Sequence, residues 1–140
     1  GLAYEHRLLD HRAIAAPPDV AGALGLGEGR TVWLVRSLHL GDGRPFQLEC
    51  RWINPAAAAG IANADLSRHG IDVWLLHNAP FARAEIRIHA RAAPPEIAAA
   101  LGTAPGTALL MVERITRTLR APLGLLHLWH HPGQSIDTAL

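Results

Sequence analysis

The sequence predicts an α+β fold, a mainly antiparallel six-stranded sheet built from two duplicated βαββ units with covering helices. Two observations carry this expectation. The first is an internal repeat: Ala16-Pro17-Pro18-Asp19-Val20-Ala21-Gly22-Ala23-Leu24-Gly25 is echoed by Ala93-Pro94-Pro95-Glu96-Ile97-Ala98-Ala99-Ala100-Leu101-Gly102. The register then holds without a gap, placing Gly29 on Gly106, Pro45 on Pro122, Trp52 on Trp129 and Pro55 on Pro132. Self-similarity held over such a length marks a duplicated supersecondary unit. The second is period-two alternation, clearest where Ile86 and Ile88 interleave with Glu85, Arg87 and His89, the pattern of a half-buried strand.

Each unit opens with a strand, Tyr4 to Ala15 in the first copy and Ala82 to Ala92 in the second. Pro-Pro-Asp/Glu then starts a short helix, because proline presets φ and an acid is favoured at the positive end of the helix dipole. Gly25 and Gly102 end these helices, since glycine takes the left-handed cap conformation without strain. Second strands follow at Thr31 to Leu40 and Ala108 to Thr118, and third strands at Pro45 to Ile53 and Leu123 to His131. In the first copy a hairpin turn at Gly41-Asp42-Gly43 joins the second strand to the third. Hairpin pairing makes the sheet mainly antiparallel. The chain reads as one domain over residues 1–140, with copies at 4–55 and 81–132 and a mostly helical insert at 56–80. Asp72 is placed at the start of the last helix of the insert, a helix that either covers the sheet or closes over a ligand.

Composition excludes several classes of function. At 140 residues the chain supports one substantial core. Its 13 basic residues, all arginine, face 12 acidic ones, for a formal net charge of +1. A domain gripping a phosphate backbone by itself would carry a basic stripe, so direct nucleic-acid binding by this segment is not expected. A lone cysteine, Cys50, leaves no internal disulfide and suits a reducing cytoplasm. No apolar run is long enough for a membrane helix. The N-terminus has neither a signal-peptide plan nor an initiator methionine, and is read as a cut between domains.

The third strand of the first copy is the most informative segment. Phe46, Leu48, Cys50 and Trp52 should point one way and Gln47, Glu49 and Arg51 the other. In the second copy the polar side is replaced by Gly124, Leu126 and Leu128. An acid and a guanidinium beside apolar residues have the composition of a polar-anchored small-molecule pocket. Ser37 and His39 share one side of the preceding strand, and the hairpin register decides whether they face Glu49. A one-residue bulge at Gly41 to Arg44 would switch that register, and the residues alone leave both registers open.

Other chemistry ranks lower. Among nine histidines, His127, His130 and His131 are densest, but strand geometry keeps them from converging, so no metal is assigned. Gly25, Gly27 and Gly29 follow a helix instead of opening one, which argues against a phosphate loop. Cys50 reads as a core thiol. Ser135 and Asp137 lie in the tail without a positioned histidine. No catalytic constellation and no cofactor motif stand out, and an enzyme is not expected.

The run Ala-Pro-Pro-Asp-Val-Ala-x-Ala-Leu-Gly-Leu, the segment Gly43-Arg44-Pro45-Phe46-Gln47-Leu48-Glu49-x-Arg51-Trp52-Ile53-Asn54-Pro55 and the tail His131-Pro132-Gly133 together resemble a UTRA domain. This is the effector-binding domain of GntR-type repressors of the HutC, or histidine-utilisation, subfamily. The resemblance covers nearly the whole chain, and residues 45–55 are its most specific part. It implies a chorismate lyase-like fold, a small and often acidic effector, a homodimer, and operator DNA bound through an N-terminal winged helix-turn-helix domain that this chain lacks. It also implies that Ser37 and His39 from the second strand and Glu49 with Arg51 from the third contact one ligand. The repeat maps Ser37 and His39 onto Arg114 and Thr116, a second candidate set, with Arg114 as a carboxylate or phosphate clamp. Relatives that bind sugar phosphates carry basic residues where this chain has Ser37 and His39, so a sugar phosphate is not expected, and likeness to the histidine-utilisation branch implies urocanate, an imidazole bearing a carboxylate. The alternative implied by the fold alone is a chorismate lyase-type enzyme.

Overall fold

A computed structural model describes residues 3–133. Tyr4–Ala15 form β1, Pro18–Leu24 α1, Thr31–Gly41 β2, Arg44–Ile53 β3, Leu66–Asn78 α2, Arg83–Ala92 β4, Pro95–Leu101 α3, Ala108–Arg117 β5 and Pro122–His130 β6. Two single turns of 3-10 helix, Pro55–Ala57 and Ile61–Asn63, precede α2. Every neighbouring pair is antiparallel, in the order β1-β2-β3-β6-β5-β4. The third strands of the two copies thus meet at the centre, and the first strands lie at the two edges.

The local chemistry explains the boundaries. Gly25 and Gly102 sit at φ 66° and 70°, each N–H returning to two carbonyls of the preceding turn. Asp42 and Gly43 both have positive φ, 50° and 78°, the requirement of a two-residue turn that matches strand twist. In the second copy the hairpin is longer: Arg117 pairs with Pro122, and the Thr118 hydroxyl accepts from Arg120 N–H and Ala121 N–H.

One face of the sheet packs on α1 and α3. Leu48, Cys50, Met111 and Trp129 meet Ile97, Ala98 and Leu101 there, and Leu125 meets Val20 and Leu24. The helices are exchanged between copies: α1 lies against β6, and α3 lies against β3. The buried Cys50 thiol is pushed up to about 12 by the loss of water, so it is a core group.

The opposite face is covered only in part. Ile61, Leu66 and Ile71 from the insert pack on Val35, Ile53 and Leu123, and His11 Nε2 lies 2.7 Å from the Ile61 carbonyl oxygen. Toward β4 the described residues leave this face open, with Ile86 and Ile88 62% and 65% exposed. The two edges differ. β1 carries a register shift between Leu8 and Asp10, whereas β4 pairs with β5 over its whole length without one. A bulge blunts an edge against further pairing, and a straight apolar edge invites it.

One expectation is corrected. The extra residue in the first hairpin is not in the turn, where Gly41 pairs with Arg44; the ladder steps from His39–Gln47 to Leu40–Pro45, so Phe46 is unpaired. Phe46 therefore leaves the apolar row of Leu48, Cys50 and Trp52, and its ring lies 6.3 Å from those of His39 and Tyr4. The insert holds two helical segments within α2: Asp65 caps the first by accepting from Ser67 N–H, Gly70 breaks the helix at φ 73° and ψ 169°, and the last segment begins beside Asp72 as expected. Asp72 stands in the first turn after that break. Among the described residues no helix is long and apolar enough to cross a membrane. Ser135 and Asp137 lie outside the described residues.

Candidate functional site

The bulge at Phe46 decides which side chains share the half-covered face. Ser37 pairs with Glu49, His39 with Gln47, and Val35 with Arg51. Directly paired residues project to the same side, so Ser37, His39, Glu49 and Arg51 stand together. Arg51 faces Leu126 across β6, Leu126 faces Arg114 across β5, and Thr116 lies opposite Gly124. All six candidate residues are thus on one face, and Leu126 forms the apolar floor between the two arginines.

They do not line one chamber. Arg51, Arg114 and Thr116 border a cleft of about 400 Å3 whose other walls include Leu75, Phe81 and Asp72. His39 and Glu49 border a smaller recess of about 190 Å3 with Tyr4, His6 and Asp72. Ser37 lines neither; it is fully buried, and its hydroxyl has no partner among the described residues. Asp72 belongs to both chambers and stands on the boundary between them.

Glu49 organises the recess. It is 4% exposed, and a carboxylate so placed must be paired. Its Oε2 accepts from Arg51 Nε at 2.6 Å, and its Oε1 accepts from His39 Nε2 at 3.1 Å. Burial pushes the carboxyl up, but the His39 hydrogen bond and the Arg51 charge outweigh it and hold Glu49 at about 2. Because the carboxylate is acceptor-only, His39 Nε2 is the donor in this pair. His39 Nδ1 is hydrogen-bonded to the Tyr4 hydroxyl at 2.6 Å. His6, with its ring centroid 5.5 Å from that of His39, is shifted toward the neutral form by burial and by His39.

Arg51 also reaches Asp72 through Nη2, and Arg114 Nη2 lies 3.7 Å from the same Asp72 oxygen. Burial and the Arg51 charge lower the Arg114 pKa, and its Nε is buried with no partner among the described residues. Thr116 is less available, because its hydroxyl points to the Gly124 carbonyl at 3.4 Å. Sequence reasoning missed Tyr4, His6 and Phe81, and placed Asp72 only as a helix start. Tyr4 and His6 do alternate along β1, which was the available signal. His69 also borders the recess, whereas His127 and His130 stay apart from it. His127 pairs with Glu113 on the helix-covered face at 2.9 Å, and His130 lies beside Gln47 on the other at 3.1 Å.

A half-covered antiparallel sheet with an apolar cleft, anchored by a few fixed polar groups, has the make-up of a small-molecule-binding domain. The chain belongs to the UTRA domain family, whose model matches residues 1–133. A histidine utilization repressor from Pseudomonas putida is 32% identical over 119 residues, covering 85% of this chain and 48% of the relative. The chain spans about half the length of the curated relatives it matches. The crystal structure of the C-terminal domain of histidine utilization repressor from Pseudomonas syringae pv. tomato superposes with a TM-score of 0.91 at 22% identity, covering 99% of both chains. The ligand-binding domain of a GntR-family regulator from Bordetella bronchiseptica gives 0.77 at 26% identity, covering 99% of this chain and 89% of the other. The fold is that of GntR-type effector domains, in agreement with the chorismate lyase-like expectation.

Proposed function

We propose that this domain senses a small carboxylate metabolite, with urocanate as the ligand, and passes its occupancy to an operator-binding domain in the full-length regulator. The observation that carries this reading is the convergence of Arg51 and Arg114 on one cleft whose floor and walls are Leu126, Leu75 and Phe81. Two guanidiniums over an apolar floor suit a planar ligand that carries one carboxylate. The His39–Glu49 pair, behind Asp72, supplies hydrogen-bonding groups for an imidazole at the far end. A histidine utilization repressor among the relatives supports a ligand drawn from imidazole chemistry.

Thermal melts in the presence of urocanate, histidine and a sugar phosphate test the reading. Urocanate at a hundredfold excess over its Kd should stabilise the domain by about 2.7 kcal/mol, and Arg114→Ala should abolish the shift. No response to urocanate would remove that ligand, and an undiminished response in Arg114→Ala would remove the clamp.

We further propose a homodimer formed along β4, the straight apolar edge. Antiparallel self-pairing with Ile86 opposite its own copy sets Glu85 of each chain across from Arg87 of the other and joins Ile88 to Ala84. The edge is therefore complementary in charge to itself. Sedimentation should show a dimer for the wild type and a monomer for Ile88→Lys. A monomeric wild type, or a dimeric variant, would reject this interface.

A further inference from the structure

We propose that Asp72 is a resident carboxylate, occupying the Arg51–Arg114 pair until the carboxylate of an incoming ligand displaces it by movement of α2 about Gly70. The inference rests on the reading of the cleft as a carboxylate site, and it concerns how that site is kept before the ligand arrives.

Asp72 is not held in place by burial. Its side chain is 69% exposed, whereas the Arg51 side chain it meets is 7% exposed. What holds it is charge. Glu49 already balances Arg51, while Arg114 has only the 3.7 Å contact with Asp72 and leaves its buried Nε unpartnered among the described residues. One oxygen of Asp72 serves both guanidiniums. A planar carboxylate presented from the cleft can engage two guanidinium forks, which a side chain tethered at this angle does only in part. The position is thus filled by the right chemical group, but incompletely.

The backbone supplies the movement. Gly70 divides α2 into two pieces, and its φ of 73° is cheap for glycine and strained for other residues. Beyond that break Asp72, Leu75, Leu76 and Ala79 follow the i, i+3, i+4, i+7 spacing of one helical face, and all four line the cleft. Leu76 is 70% exposed at the mouth. Rotation about Gly70 would withdraw Asp72 and re-aim the leucines together, so carboxylate exchange and lid position are one motion. Asp72 then acts as a specificity determinant: a neutral ligand has nothing to exchange for it, and a carboxylate does.

The test uses acetate as the probe and the 140-residue chain as the protein. Melting temperatures of the wild type, Asp72→Asn and Asp72→Ala are compared at pH 7 as sodium acetate replaces sodium chloride at constant ionic strength. Acetate should raise the melting temperature of both variants by several degrees and leave the wild type unchanged, because the external carboxylate enters the vacated place. Equal responses in all three proteins would overturn the proposal. Urocanate calorimetry supplies a second measurement: Asp72→Asn should bind about fivefold more tightly than the wild type, the upper end of what one exposed charge pair removed as a competitor is worth. Equal or weaker binding would also overturn it. Selective rescue by acetate with no urocanate binding to any of the three would support Asp72 in this role and reject urocanate alone.

Discussion

Replacing Arg51 with leucine is expected to cost about 3–5 kcal/mol of stability at neutral pH, because it leaves the buried Glu49 carboxylate without its cation. Leucine fills part of the volume but accepts no charge, and His39 remains the only partner of Glu49 given by the hydrogen bonds described above. The penalty should depend on pH. Glu49 is held at about 2 in the fold, against an ordinary value of 4.5. Its depressed pKa means that its contribution is present above pH 4.5 and is lost as pH falls toward 2. That contribution is on the order of 3 kcal/mol. In Arg51→Leu much of it is already gone, so the gap between variant and wild type should narrow on acidification. Urea melts at pH 7 and pH 3 measure this directly. A penalty of equal size at both would show that Arg51 acts through packing instead of charge.

Trp129→Ala should be equally damaging for a different reason. Trp129 is 6% exposed, stands between Leu48 and Met111 in the ladder and belongs to the cluster that includes Ile97 and Leu101 of α3. Truncation removes the largest side chain of that cluster at the seam between the two copies. Comparable Trp-to-Ala changes cost about 3–5 kcal/mol through lost transfer energy and the cavity left behind. Chemical denaturation at neutral pH is the measurement. A loss below about 1 kcal/mol would mean that α3 collapses into the space, and that this seam is more plastic than its packing implies.

The elements that were legible in the sequence are those set by local chemistry. Pro18 and Gly25, and their counterparts Pro95 and Gly102, mark the ends of α1 and α3 because proline and glycine have few conformational alternatives. Asp42-Gly43 does the same for the first hairpin. The shared face of Ser37 and Glu49 was only half legible. It depends on one unpaired residue, and nothing local distinguishes a bulge at Phe46 from one in the turn. The union of β3 with β6 is a long-range pairing that no local feature of the sequence specifies. Asp72 was the least legible. Its importance comes from two arginines 21 and 42 positions away and from the break at Gly70, and a lone acid after a glycine carries no such message. Tyr4 completes the same lesson, since its hydroxyl matters only once β1 lies beside β2.

The exchange of helices between the copies has a consequence for how such a chain came to exist. A single βαββ unit gives its own helix only part of a seat, because α1 rests mainly on β6 and α3 on β3. Standing alone, it would be stable only when mated with a second unit that lends the missing part. The present molecule is that mated pair fused through the insert. Once fused, the two halves were no longer obliged to be identical. One kept the acid and the histidine; the other, freed from symmetry, became floor and clamp.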